Sequence, residues 1–303
     1  MRLPSVRGRR AIRALALALL AGACSEPPPP DEPIDIEALR RIVTDDAGYE
    51  HRMGRARDRV ISLVPAITDF IVAFGESGRI IARTRYDEDP TLANLPSVGG
   101  GLDPSVERIV FLKPDLVIVW PDVGDRSVAA RLEELGITVY QARVETIADA
   151  RRHAIGVASL LGARPQANRW AAELDSTFAR IGRDVEGKAR PGVVYVASAA
   201  PPIVAGSGTF VDSLVTVAGG RNVFGSAPQP WPQMSMEAVA RGRPDVVLVP
   251  SAGGIDSALR SGGWSVVSGR RVALDPTLFG RPGPRLGEAA QTLFQTLHPE
   301  PER

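Results

Sequence analysis

The chain carries a single cysteine and only three histidines in 303 residues. One cysteine, Cys24, excludes an internal disulfide. His51, His153 and His298 lie far apart, and none has the short spacing of a metal site. His153 reads as part of a polar helix face and His298 as part of the tail, so both are expected in solvent. An excess of charge is also missing. The count of 36 Lys+Arg against 35 Asp+Glu leaves a net charge of +1, so nothing marks the chain as a nucleic-acid binder. Catalytic signatures are wanting as well. Gly182 to Lys188 has P-loop spacing, but Ala189 follows where Ser or Thr is required, and the stretch sits at a helix end. Gly206-Ser207-Gly208 lacks the spacing of a nucleophile elbow. Asp87, Glu88 and Asp89 read as an exposed acidic loop before they read as a cation site. No residue set emerges that would carry catalysis.

What is present begins at the N-terminus. Arg2, Arg7, Arg9, Arg10 and Arg13 form a basic leader, and Ala14 to Leu20 is an apolar core too short for an ordinary membrane span. Ala21-Gly22-Ala23-Cys24 then resembles the lipobox of bacterial lipoproteins, with Ala21 where leucine is usual. Residues 1–24 are therefore expected to be a signal peptide ending at a lipid-attachment cysteine, Cys24. The alternative is ordinary cleavage near Ala23 and a soluble periplasmic protein. Ser25 is not the aspartate of inner-membrane retention, so the anchor leans toward the outer membrane. Residues 25–41 follow as a proline-rich tether opening with SEPPPPDEP, which favours polyproline II.

An internal repeat organises the rest. SVERIVFLKPDLVIVW, from Ser105 to Trp120, recurs 130 residues later as SMEAVARGRPDVVLVP, from Ser235 to Pro250. Ser105, Glu107, Pro114 and Asp115 correspond to Ser235, Glu237, Pro244 and Asp245. Each copy reads as a short helix, a proline-aspartate turn and a strand covered on both faces. Two α/β lobes of similar design follow from this.

In chain order, Ile42 to Met53 suggests a hairpin turning near Asp45 to Gly48. Strands at Arg59–Val64, Arg79–Arg83, Leu116–Trp120 and Ile137–Tyr140 alternate with helices at Ala66–Phe74, Arg126–Leu135 and Ile147–Leu161, which predicts a parallel sheet. A long helix runs from Pro165 to Glu186. Trp170, Leu174, Phe178, Ile181 and Val185 share one of its faces, as a brace between two lobes would require. Strands at Gly192–Ser198 and Arg271–Leu274 and helices at Phe210–Ala218 and Gly287–Leu297 build the second half. The expected division is 42–162 for the first lobe, 163–190 for the interlobe helix and 191–303 for the second lobe.

RVISLVPAITDFIVAFG, GLDPSVERIVFLKPDLVIVW, AGGRNVFG and PWPQMSMEAVARGRPDVVLV together resemble the substrate-binding proteins that serve importers of metal chelates, over roughly Ile42 to Leu297. The tract Pro230-Trp231-Pro232-Gln233 followed by Ser235 is closest to the cobalamin-binding type. The resemblance implies two Rossmann-like α/β lobes with parallel-rich sheets, joined by one long α-helix, with the ligand between them. It implies cobalamin or a related corrinoid as cargo with no resident cofactor, an ABC importer permease dimer as partner, and membrane contact through the N-terminal lipid. Haem or a ferric siderophore remains open as cargo within the same cluster. Residue by residue, it implies ligand contacts at Tyr86, Trp120, Trp231, Phe279 and Arg281, and permease docking by Glu107 and Glu237. A strand-end tryptophan serves a core as readily as a cleft, and Arg281 reads equally as a surface charge. Trp264 and Phe210 have no motif support and read as packing. Gly101 and Ile203 depart from the cobalamin type, which has a tryptophan and a phenylalanine there. An enzyme on a similar two-lobed scaffold is the competing class; the export signal and the scarcity of histidine and cysteine favour the binder.

Overall fold

A computed structural model describes residues 41–121, 127–250, 259 and 262–299. The expected signal peptide, Cys24 and the expected tether up to residue 40 lie outside the described residues. The first described element is a hairpin of β1 (Ile42–Thr44) and β2 (Glu50–Arg52), paired antiparallel. Its turn is tied by Asp45, whose Oδ1 accepts from the backbone of Ala47 and Tyr49.

The first sheet is built from β3 (Val60–Ser62), β4 (Ile80–Ala82), β5 (Leu116–Val119) and β6 (Val139–Gln141), in the order β4-β3-β5-β6. All its pairings are parallel, as the alternation of strand and helix requires. Its helices are α1 (Pro65–Ala73), α2 (Val106–Phe111), α3 (Val128–Glu134) and α4 (Ile147–Leu161). Helix α5 (Arg164–Asp184) follows; its 21 residues span ~31 Å at ~1.5 Å per residue. It packs against α4 on one side and the last helix of the chain on the other. Leu174 and Ile181 of the anticipated apolar stripe are buried, and Trp170 and Phe178 pack partly buried against the same core.

The second half of the chain runs through β7 (Gly192–Ala199) and β8 (Pro202–Val204), then α6 (Phe210–Val217), β9 (Arg221–Asn222), α7 (Met236–Arg241), β10 (Val246–Pro250), β11 (Arg270–Leu274), α8 (Pro276–Phe279) and the closing α9 (Leu286–Leu297), and its strands form the second sheet. Strand order is β11-β10-β7-β8, with β9 also on β7. Only the β7–β8 pairing is antiparallel among the described strands of this sheet.

The repeat extends down to the backbone. Ser105 and Ser235 each cap their helix, accepting from the amide of Arg108 and of Ala238. Lys113 and Arg243, each just before its proline, both take a positive φ, 50° and 44°. Asp115 accepts from the amides of Asp58 and Arg59 at the entrance of β3, and Asp245 accepts from the amide of Gly192 at the entrance of β7. The proline-aspartate turn thus does two jobs in each lobe. Proline stops the helix, and aspartate fixes the neighbouring strand in register. Every residue of β5 and β10 is buried, as a strand covered on both faces demands.

Candidate functional site

A cleft of about 800 Å³ opens above the turn that leads into α1. Leu63, Val64, Pro65 and Ala66 line it there, and no side chain caps the helix N-terminus. Tyr86, Leu102, Trp120 and Val144 complete an apolar wall, and Arg85, Asp103 and Arg281 add charge. Arg281 comes from the second lobe, so the cleft lies between the two. Leu102 is 82% exposed and Tyr86 52%, so both present apolar area to solvent at its mouth. The Arg85 guanidinium lies 5.3 Å from the centre of the Tyr86 ring, within cation–π range.

A second cavity of about 790 Å³ adjoins the first, and Arg281 lines both. Its walls include Asp69 of α1 and Phe74 at the end of that helix, and Trp170 and Glu173 from α5. Trp170 sits edge-on to Phe70 at 4.7 Å and donates through Nε1 to the Pro284 carbonyl at 2.8 Å. The long helix thereby touches both lobes through one side chain.

Between the cavities, Arg281 donates to Asp69 through two nitrogens. Burial pushes the Asp69 carboxyl up from its ordinary range, against the opposing pull of Arg281. Burial works to lower Arg281, but Asp69, with Asp87 and Glu88 nearby, raises it overall. Across the cleft, the hydrogen bond that Arg85 donates to Asp103 raises Arg85 and lowers Asp103.

Of the residues singled out from sequence, Tyr86, Trp120 and Arg281 meet in this cleft. Phe279 does not line it; the ring is 1% exposed and sits in the core. Trp231 is also absent from the lining, half-buried with its ring 6.3 Å from that of Tyr195. Tyr195 in turn donates to the Phe279 carbonyl at 3.0 Å. Trp231, Tyr195 and Phe279 therefore form a packed chain beneath the segment that carries Arg281. The Pro-Trp-Pro-Gln tract is held by its backbone. The carbonyls of Pro230 and Pro232 accept from Gly206 and Val204, and Gln233 bridges Ile203. Glu107 and Glu237 are exposed at equivalent points of α2 and α7. In each, backbone hydrogen bonding and then the preceding serine hydroxyl hold the carboxyl below its ordinary range.

Four expectations need correction or sharpening. His153 is not solvated: it is 0% exposed, 3.0 Å from the Tyr140 hydroxyl and 2.9 Å from Asp46. The hairpin turn covers the helix face that looks polar in sequence. His298 is half-buried and lies 3.0 Å from the Ala218 carbonyl. Asp87 is buried, accepting from the Thr84 amide, so the acidic loop is exposed only in part. Arg281 is paired across the lobes and is no free surface charge. Trp264 and Phe210 are packing residues, each 3% exposed, and Trp264 donates to the Ala199 carbonyl. Sequence reasoning missed Asp69, Arg85 and Asp103. Asp69 stands inside a quoted motif, but only the partner 212 positions away gives it meaning. Gly101 has a steric reason: a Cβ there would lie 2.4 Å from the Leu63 carbonyl oxygen, so this loop leaves no room for a side chain.

Comparison with known proteins agrees with this architecture. The vitamin B12-binding protein of Photorhabdus laumondii is 28% identical over 255 residues, covering 83% of this chain and 92% of that protein. The structure of the periplasmic vitamin B12 binding protein BtuF of Vibrio cholerae superposes with a TM-score of 0.67 at 25% identity, over 80% of this chain and 96% of that one. The apo periplasmic heme-binding protein RhuT of Roseiflexus sp. RS-1 superposes with a TM-score of 0.69 at 27% identity, over 80% of this chain and 98% of that one. Residues 60–263 match the family described as periplasmic binding protein, and the chain belongs to that family.

Proposed function

We propose that this protein captures cobalamin or a related corrinoid in the interlobe cleft and hands it to the permease of an ABC importer. The carrying observation is the meeting of Tyr86, Trp120 and Arg281, from distant parts of the chain, around one apolar cleft of about 800 Å³. Flat aromatic and aliphatic walls suit a macrocycle, because they bury large area at little entropic cost. The relatives that bind vitamin B12 support the same ligand. In this reading Tyr86, Trp120 and Arg281 touch the ligand, and Trp231 and Phe279 hold the Arg281 segment in place. The corrinoid is cargo, not a resident cofactor. Residues 42–162 and 191–303 act as the two lobes about the helix of 163–190.

Glu107 and Glu237 would dock the two halves of a permease dimer. They are exposed, lie on repeat-equivalent helices and carry negative charge, as a two-fold partner surface requires. The protein would work outside the cytoplasm, held by a lipid on Cys24 and facing the periplasm, with an outer-membrane lean from Ser25.

Tryptophan fluorescence tests the ligand. Cobalamin should quench emission saturably, and the protein should stay coloured after desalting. Trp120→Ala should weaken binding by about 1–3 kcal/mol, the scale of a buried aromatic anchor. Saturable binding of haem or a ferric siderophore, with none of cobalamin, would sink the corrinoid reading and leave the fold untouched.

A further inference from the structure

Both arginines of the cleft are already engaged by carboxylates. Arg85 donates through Nη2 to the two oxygens of Asp103, at 2.7 and 2.6 Å. Arg281 donates through Nε to Asp69 Oδ2 at 2.6 Å and through Nη2 to Oδ1 at 3.2 Å. Asp103 stands in the lining itself, whereas Asp69 reaches Arg281 from the adjoining cavity. Asp87, Glu88 and Asp89 add negative charge to this corner: Asp87 and Glu88 act on Arg281, and Asp87 and Asp89 on Asp69. No other cationic side chain lines the cleft among the described residues. Its two positive charges are thus matched or exceeded by carboxylates around them.

We propose that Asp69 and Asp103 determine specificity: by occupying guanidinium donors of Arg281 and Arg85, they make the cleft select a macrocycle bearing uncharged amides over one bearing carboxylates. The proposal rests on the corrinoid reading of the cleft and narrows it. A ligand carboxylate can use these arginines only by displacing an aspartate, and it then faces that aspartate as a like charge. A ligand amide has no such conflict. A guanidinium has five N–H donors, so one left over from the aspartate can reach the amide oxygen, and the amide NH₂ can donate to the aspartate. The geometry also makes the two acids unequal. Freeing Arg281 separates the lobes at a half-buried contact, whereas freeing Arg85 disturbs only one exposed loop pair.

The test compares two corrinoids on one ring: cobinamide, with amide side chains, and cobyrinic acid, with carboxylates in their place. Wild-type protein should prefer cobinamide by roughly tenfold or more, the worth of one charge-assisted hydrogen bond that the acid forfeits. In D69N/D103N the preference should shrink by about tenfold, through tighter binding of the acid. Haem, which carries two carboxylates, should gain affinity in the same variant. Asp103 is 64% exposed, so D103N alone serves the comparison if the double variant fails to fold. A wild type that favours cobyrinic acid, or a variant whose preference is unaltered, overturns the specificity role while cobinamide binding upholds the corrinoid cleft. A wild type that binds neither corrinoid removes both.

Discussion

Replacing His153 by leucine tests whether the N-terminal hairpin is clamped to the first lobe as the structure has it. The imidazole is fully buried between two polar partners. One tautomer satisfies everything: Nε2–H donates to Asp46 Oδ2 at 2.9 Å, and Nδ1 accepts from the Tyr140 hydroxyl at 3.0 Å. Asp46 also accepts from the amide of Arg143 at 2.6 Å and from Arg152, which bonds Asp149 as well. Leucine keeps much of the volume but removes both bonds. A lost bond to a charged group costs about 1.5–3 kcal/mol, and a buried hydroxyl left unsatisfied costs about 1–3 kcal/mol. Leucine recovers part of this because it has no polar ring to desolvate, which leaves a net loss of about 2–4 kcal/mol. The pH dependence follows from the same geometry. Burial holds the His153 value below the ordinary histidine range, although Asp46 pulls the other way. The unfolded chain therefore binds the proton first as pH falls through ~6.5. Stability from this group is complete above that pH and drains away below it. Asp46 behaves alike in a lower window. Burial would raise its carboxyl, but the Arg143 amide and Arg152 outweigh that and hold it below the ordinary range. Its contribution is present above ~4 and lost as pH falls further. Urea unfolding at pH 8, 7, 6 and 5.5 reads the lost bonds and the His153 dependence, because the Asp46 window lies below this series. Wild type should lose stability across this series, and His153→Leu should start lower and lose less. Equal stability of the two proteins at pH 8, or parallel pH slopes, would refute the clamp.

Three other outcomes are expected. Gly101→Ala should destabilise the protein by about 1–3 kcal/mol in thermal melts, because its Cβ would meet the Leu63 carbonyl at 2.4 Å and push the loop off the turn into α1. Glu107→Ala combined with Glu237→Ala should abolish ligand uptake in cells yet leave the affinity of purified protein within about threefold, since rim charges chiefly govern partner recognition; normal uptake would remove the docking role. Cys24→Ala should move the protein from the membrane to the soluble fraction, and a wild type already soluble would exclude the anchor.

The repeat was legible because each of its residues acts over a short range. A serine caps the helix it opens, a proline stops it, and an aspartate reaches the strand entrance beside its own turn. Such signals survive in linear spacing, so the two similar lobes could be read without any structure. The long helix was legible for the same reason, since one turn of apolar spacing predicts the next. His153 was not. Its neighbours Arg151 and Arg152 make that face look solvated, and only the hairpin, from over a hundred positions earlier, converts it to interior.

The cleft shows the same limit at the point where it matters most for function. Of its aromatics, motifs named Tyr86 and Trp120, but they also named Trp231 and Phe279, which pack outside the lining. Its charge state could not. Arg281 taken alone promises an anion site, and Arg85 beside an exposed tyrosine promises another. Each promise is cancelled by an aspartate that no local pattern connects to it: one 18 positions away across a glycine-rich loop, the other 212 positions away on the opposite lobe. A binding cleft between lobes is assembled from segments that meet only after folding. The chemistry it offers a ligand is therefore set by pairs such as Asp69 and Arg281, not by any residue within them.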